Sequence, residues 1–538
     1  MKTRLISECR LGLALATASL CVLTACGGGG AKAPDTANTT GGAVKAVDRG
    51  GMRSYFGIPF AAPPVGNLRW APPAPVTKWT TPLAKTQSAS PCLQTSASPF
   101  RLAGGQEDCL YLDVHAPTTE GPFPVMVWIH GGAFNTGGTT TYADPSPLVS
   151  KGVIVVNIAY RLGALGFLGH PALRASDGSV GNYGIMDQQA ALRWVQDNID
   201  GFGGDKGNVT IFGESAGGFS VLTHLASPLS KGLFSKAIIE SGGYAFDRQP
   251  TQAAVEAQGT TIVNNALAAA GVACATVDAA CLRGLSTDVV NNQLATAFTT
   301  LNSSPVPSID GKVLPKSIKA AFAAGENNKV PLVNGSNRDE WGLFVAIREL
   351  AAPPLTSAGY PTYLQTGLGL PQTTAAAYPL TDYGTNTAQQ ASLAATAVGT
   401  DLLFSCPALN LSKRAAAQNT PIWMYEFRDR TAVPSVARTT ASFPQGAAHS
   451  YELQYLFNLR DLENAERRDL QDSMSRYWTN FARTGNPNGG NAVPAEWPAF
   501  TAPDKVLGLD VASGGGVKVL STFEKDHKCN TVWSTLTF

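Results

Sequence analysis

Apolar residues along the chain gather into short continuous runs separated by longer stretches of helical spacing. Phe123–Ile129, Val153–Ala159, Val209–Phe212, Ala237–Ile239, Pro331–Val333 and Ile422–Tyr425 are dense in β-branched or aromatic residues with little polar alternation. That is the pattern of strands covered on both faces. Cys109–Val114 alternates instead, and Arg53–Phe56 reads as a short strand inside the proline-punctuated segment Val44–Trp79, which cannot be helical. Between the runs, Asn182–Ile199 carries Met186, Leu192, Trp194, Val195 and Ile199 on helical spacing, and Ser215–Leu225 forms a second such pattern. Strand-then-helix alternation predicts an α/β fold with a large mixed, mostly parallel central sheet flanked by helices. Ala253–Phe298 and Leu343–Ala397 are Ala- and Thr-rich without strand signals. They are expected as helical insertions roofing the sheet, and no internal repeat is visible.

Composition narrows the class. The chain has 538 residues, a formal charge of +1, 44% hydrophobic and 15% charged residues. This excludes a disordered chain and a strongly basic nucleic-acid binder, so no nucleic-acid partner is expected. Lys2, Arg4 and Arg10 precede an apolar stretch, Leu11–Leu23, too short to span a bilayer comfortably, which reads as an export signal. Leu23-Thr24-Ala25-Cys26 resembles a bacterial lipobox. The expected division is a signal over 1–25, a flexible tether over 26–43 beginning at a lipidated Cys26, and one catalytic domain over 44–538. Ordinary cleavage with an incidental Cys26 is the alternative. The expected location is the outer membrane as a lipoprotein, otherwise the periplasm or medium, with membrane contact only through the anchor. No other stretch reads as apolar for long enough to cross a membrane.

Six cysteines lie beyond the signal: Cys92, Cys109, Cys274, Cys281, Cys406 and Cys529. An even number in an exported chain argues for disulfides. Local pairs Cys92–Cys109 and Cys274–Cys281 are the simplest choice, leaving Cys406–Cys529, out of fifteen possible connectivities. No C-x-x-C or H-x-x-x-H spacing supports a metal site, and no metal or cofactor is expected.

Ligands in open α/β sheets sit beyond the carboxyl ends of strands. His130-Gly131-Gly132-Ala133-Phe134 follows Ile129, Gly213-Glu214-Ser215 follows Phe212, and Glu240-Ser241-Gly242-Gly243 follows Ile239. Asn337-Arg338-Asp339-Glu340-Trp341 lies past Val333, and Gln445–Glu452 lies past the Ile422 run. Gly213-Glu214-Ser215-Ala216-Gly217 is a G-x-S-x-G pattern between strand and helix. There a sharp turn lifts the serine hydroxyl clear of the sheet. A serine at its free pKa needs an imidazole to take its proton and a carboxylate to orient that imidazole. This architecture orders them serine, acid, histidine. Ser215, then Asp339 or Glu340, then His449 fit, and spacing does not choose between the two acids.

The other histidines read differently. His115 and His170 are taken as loop or surface residues, His224 as packed, His130 as structural, and His527, in Lys525-Asp526-His527-Lys528, as solvated. The amides of Gly132, Ala133 and Ala216 are expected to form an oxyanion hole. Phe134, Glu214, Phe219 and Trp341 are expected at the substrate pocket, with core packing the alternative for the three aromatic residues.

These motifs resemble the type-B carboxylesterases, the α/β-hydrolase branch that includes the cholinesterases. The likeness runs from about Tyr55 to Cys529 and includes Phe56-Gly57-Ile58-Pro59-Phe60-Ala61, Glu107-Asp108-Cys109-Leu110-Tyr111-Leu112, Val127-Trp128-Ile129-His130-Gly131-Gly132 and Gly213-Glu214-Ser215-Ala216-Gly217-Gly218. The family's G-x-N-x-x-E pattern falls on Gly335–Glu340 and its histidine motif on Gly446–Glu452. The resemblance therefore implies Glu340 as the acid, His449 as the base, the three disulfides above, and Glu214 as an electrostatic neighbour of the nucleophile. It implies a serine esterase acting on a small-molecule carboxylic ester without cofactor. Ser450 and Asp113 stand where glycine and asparagine are usual. The Cys92–Cys109 loop has no Trp, so a choline-binding aromatic site is not expected. A lipase, thioesterase or amidase remains the near alternative. A non-catalytic adhesion protein on the same fold is the distant one; such relatives lose the serine or the histidine, and this chain keeps both.

Overall fold

The continuous apolar runs form the parallel centre of an eleven-stranded sheet. The computed structural model describes residues 32–94, 104–294, 305–434 and 441–535. Its strands are β1 (Thr36–Asn38), β2 (Ala43–Lys45), β3 (Val47–Asp48), β4 (Met52–Pro59), β5 (Tyr111–Pro117), β6 (Phe123–Ile129), β7 (Ile154–Ile158), β8 (Gly204–Glu214), β9 (Lys236–Glu240), β10 (Leu332–Asn337), β11 (Ile422–Phe427), β12 (Val506–Leu509) and β13 (Lys518–Leu520). β1 and β2 form a separate antiparallel pair, and the others run in the order β13-β12-β11-β10-β9-β8-β6-β7-β5-β4-β3. From β7 through β12 all neighbours are parallel, while β3, β4, β5 and β13 join antiparallel at the edges. From β6 the chain steps to β7 on one side and β8 on the other. The strand order thus reverses between the carboxyl ends of β6 and β8, where such sheets open a crevice.

Every residue of β6, β7, β9, β10 and β11 is buried. Side chains alternate between two cores, as strand geometry requires. Val125, Val127 and Ile129 join the core under the helices Tyr183–Asn198, Ala216–Ala226 and Thr387–Thr400, whereas Met126 and Trp128 join the core under the helix Ala465–Thr484. The inserted segments carry helices Gln252–Ala270, Gly342–Glu349, Tyr360–Leu368 and Thr387–Thr400. Their Ile262, Val345, Leu364 and Val398 share the first core, so they are part of the same body.

Several expectations need correction. The helical run Thr387–Ala417 is by length and composition apolar enough to cross a membrane, but 78% of its apolar window is buried in the protein. A π-helical turn, Asp401–Ser405, interrupts it. The expected tether is ordered from Lys32 onward. Thr36–Asn38 pairs with Ala43–Lys45, Thr40 N–H donates to Asn198 (2.6 Å), and Trp79 lies so close over Gly41 that a Cβ there would sit 2.4 Å from its ring. Small residues that read as flexible are small because an indole packs on them. The export signal and Cys26 lie outside the described residues. β12 and β13 were not foreseen; each is short, and the glycine in Val506-Leu507-Gly508-Leu509 weakens the strand signal.

All three anticipated disulfides are formed: Cys92–Cys109, Cys274–Cys281 and Cys406–Cys529. The last closes a 123-residue separation and ties the C-terminal segment to the helix Cys406–Ala417. Asp113 is buried in β5, accepting from the Gly57 amide (2.8 Å) and the Ser88 hydroxyl (2.5 Å), and burial pushes its carboxyl up to about 6.

Candidate active site

Ser215 stands at the carboxyl end of β8 with φ 57° and ψ −120°, a strained left-handed-side conformation between strand and helix. Such a residue costs on the order of 1–3 kcal/mol and persists only where its surroundings fix it. Here its N–H donates to Glu240 O (3.0 Å) on β9, and its carbonyl accepts from Phe219 N–H (2.8 Å). The turn also needs the glycine two residues on: a Cβ at Gly217 would lie 1.9 Å from Ile129 O at the end of β6. The helix Ala216–Ala226 therefore closes directly onto β6, with the Ala216 amide first in line and no carbonyl one turn back to receive it.

Across the crevice, Gly132, Ala133 and Phe134 take φ of 107°, 54° and 57° in succession. The loop is fixed by Asn135 and Thr136 amides donating to Gly132 O (3.0 Å each) and by Gly163 N–H donating to Phe134 O (2.7 Å). Among the described residues no hydrogen bond uses the amides of Gly132 or Ala133. Gly131 approaches the nucleophile so closely that a Cβ on it would lie 3.1 Å from Ser215 Cβ. His130 braces this loop as expected. It stacks on Tyr160 (4.4 Å), its Nδ1 lies 2.8 Å from Gly131 O, and burial lowers it to about 4.

Glu340 and His449 meet on the other wall. Nδ1 of His449 is 2.6 Å from Glu340 Oε2, and Glu340 Oε1 accepts from Asn337 N–H (2.7 Å). Nε2 lies 3.1 Å from Glu214 Oε1 but makes no hydrogen bond among the described residues. The imidazole is buried between Phe344 and Phe404, each 5.2 Å away. Ser215 is 9% exposed, with Tyr244 as a neighbour. The structure thus brings Glu340, His449, Glu214 and the elbow together. Ser450 adopts φ 68°, which explains why glycine suits that position and marks the serine as strained.

Four buried glutamates surround this point. Burial, then the charges of Glu340 and Glu240, raises Glu214 well above the usual carboxylate range; burial, then Glu214 and Glu340, does the same for Glu452. Burial pushes Glu240 up to about 8 although the Trp478 indole donates to it (2.7 Å). So many carboxylates in a dry site cannot all ionise, and burial pushes these three toward the protonated form.

Aromatic rings form a continuous wall from the glycine loop to the histidine. Phe134 meets Phe219 (5.5 Å), Phe219 meets Tyr244 (5.9 Å), Tyr244 meets Phe404 (5.5 Å), and Trp341 stacks on Phe344 (4.5 Å). Trp341 is also fixed by an indole bond to Tyr363 (2.8 Å). Tyr244, Phe344 and Phe404 were missed in the sequence. Tyr244 follows the β9 end directly, which the strand-end rule could have flagged, but Phe404 comes from the π-turn of an insertion and leaves no local signal. His115 and His527 are corrections. His115 is buried in β5 against Ser54 (2.9 Å), not in a loop. His527 is buried between Asp401 and Glu426, 2.5 Å from each, not solvated. His170 is a buried loop histidine that accepts from Ala172 N–H (3.1 Å), and His224 packs in its helix as expected.

A profile described as the Carboxylesterase family matches residues 35–530. The fumonisin B1 esterase of Sphingopyxis macrogoltabida is 35% identical over 90% of this chain and 88% of its own length. The para-nitrobenzyl esterase of Bacillus subtilis (strain 168) is 34% identical over 85% and 91%. A solved PNB esterase structure superposes with a TM-score of 0.73 at 31% identity, covering 92% of this chain and 98% of that one.

Proposed function

Because the chain belongs to the carboxylesterase family and is a carboxylic ester hydrolase, we propose that it works through an acyl-enzyme on Ser215, with His449 as base and Glu340 as its orienting acid. The observation that carries this reading is the unequal state of the two imidazole nitrogens. Nδ1 is committed to Glu340 at 2.6 Å, and Nε2 is buried beside the elbow without a hydrogen bond among the described residues. Ser215 gives up its proton to Nε2, and its oxygen attacks the ester carbonyl carbon. The carbonyl electron pair moves onto oxygen, held by the amides of Gly132, Ala133 and Ala216. Collapse expels the alkoxide, which takes the proton from Nε2. Water then repeats the sequence on the acyl-enzyme and releases the acid. Glu214 faces Nε2, and burial, then the charges of Glu340 and Glu240, raises its carboxyl well above the usual range, which disfavours a second negative charge beside the imidazole.

The aromatic wall supports apolar acyl or alcohol groups, with Phe134, Phe219 and Trp341 joined by Tyr244, Phe344 and Phe404 in lining the site. Thioesters, amides and long-chain lipids share the same first step, and a panel of p-nitrophenyl esters, amides and thioesters separates them. The test of the nucleophile is labelling with a phosphonate ester followed by peptide mapping. A single adduct on Ser215 is expected; an adduct elsewhere, with Ser215 unmodified, overturns the assignment. Export as a Cys26 lipoprotein belongs to the same proposal and rests on the sequence. The mass of the mature N-terminus tests it.

A further inference from the structure

The loop that carries His449 is hooked to the segment that carries Glu340 by more than the imidazole–carboxylate bond. His449 N–H donates to Glu340 O (3.3 Å), Asn337 Nδ2 donates to Ala448 O (2.7 Å), and Asp339 N–H donates to Ala447 O (3.0 Å). The carboxylate of Asp339 adds a contact of a different kind. Its Oδ2 accepts from Ala447 N–H (3.0 Å) and from Arg430 Nε (2.8 Å), while Oδ1 accepts from the second arm of Arg430 (2.6 Å). The loop is shaped around it. Gly446 has φ 69°, and a Cβ there would lie 2.4 Å from Asp339 Oδ2. A cavity of about 580 Å³ lies against the loop, its wall including Arg338, Asp339, Arg430, Gln445 and Gly446. On its cavity side the loop is fixed by this polar clamp, together with the Tyr451 hydroxyl donating to Gln445 Oε1 (2.6 Å).

We propose that Asp339 is a positioning residue for the esterase reaction, its carboxylate seating the 446–449 loop so that the imidazole of His449 stays aligned with Glu340 and the elbow. The proposal rests on the reading of His449 as base. It gives Asp339 and Glu340, adjacent acids that spacing could not separate, distinct tasks: Glu340 holds the ring and Asp339 holds the backbone behind it. An exposed ion pair contributes little stability, and Arg430 is more than half exposed. The effect expected is one of alignment, where a shift of about 1 Å costs about 100-fold in rate.

The test compares wild type, Asp339→Ala, Asp339→Asn and His449→Ala by single-turnover acylation with a p-nitrophenyl ester. That rate constant does not depend on the fraction of active molecules. KM and thermal melting are measured alongside. Asp339→Ala is expected to acylate about 10- to 100-fold more slowly with KM within about twofold and melting little changed. Asp339→Asn, which keeps an acceptor for Ala447 N–H, is expected to recover to about three- to fivefold below wild type. Wild-type acylation by Asp339→Ala overturns the proposal. If that variant does not fold, Asp339→Asn decides, and equality with wild type overturns it. Activity retained by His449→Ala instead rejects the reading of the active site, a separate outcome.

Discussion

Two histidines in this protein are buried between pairs of carboxylates, and only one of them has a nitrogen to spare. His527 lies 2.5 Å from Asp401 through Nδ1 and 2.5 Å from Glu426 through Nε2. Burial alone would lower its pKa, but the two carboxylates reverse that and lift it to about 10. It is a fixed cation joining the C-terminal segment to the π-turn and β11. His449 has the same inventory, with Glu340 on Nδ1 and Glu214 near Nε2, yet Nε2 makes no hydrogen bond among the described residues. Glu214 lies among other buried acids whose charges, with burial, raise its carboxyl, whereas Asp401 and Glu426 each contact a ring nitrogen of His527 and raise the imidazole. The difference teaches that burial and acidic neighbours do not make a base. An imidazole needs one nitrogen held and one left open.

The largest effect expected is at the elbow. Ser215→Ala lowers kcat by about 10⁴-fold or more, and adding His449→Ala changes little further, because residues acting as one unit are not additive. Steady-state hydrolysis of a p-nitrophenyl ester checks this. At the other histidine the loss falls on stability. His527→Ala leaves buried Asp401 without its imidazolium partner, while Glu426 keeps Arg428, and is expected to cost about 3–5 kcal/mol in denaturant unfolding. The pH dependence sharpens the contrast. A folded pKa of about 10 against about 6.5 unfolded means the His527 contribution is complete below about 6.5 and is lost as pH rises toward 10. Unfolding free energy measured from pH 6 to 10 falls in wild type, and this part of the slope is absent from His527→Ala. At the aromatic wall, Phe404→Ala opens space beside His449 and is expected to shift acyl-chain preference by about tenfold, read as a ratio of kcat/KM values. The smallest effect is at Ser450, where glycine relieves a left-handed φ and should add about 1 kcal/mol of stability with kcat nearly unchanged.

Much of this was legible in the chain, for physical reasons particular to each part. The parallel strands announced themselves because burial on both faces removes polar alternation, so β6, β7, β9 and β11 read as apolar blocks. The elbow was legible because Gly217 cannot carry a side chain against Ile129 O. The acid–histidine pairing was legible from order and motif, and the geometry adds the 2.6 Å bond. What was hidden depends on distant partners. Gly41 and Gly42 read as tether until Trp79 packs over them, and His527 reads as a surface residue until Asp401 and Glu426 arrive from more than a hundred residues away. Phe404 faces the active site only because a π-turn rotates it there.

The central claim is that the open Nε2 separates a reacting histidine from a structural one. It is tested most directly by measuring ester hydrolysis in His449→Gln and His527→Gln side by side, at a temperature where melting curves show both folded. His449→Gln is expected to lose about 10⁴-fold in kcat with its melting point near wild type, while His527→Gln is expected to keep kcat within about tenfold and to melt lower. Substantial hydrolysis by His449→Gln, or a comparable loss of kcat in folded His527→Gln, contradicts it.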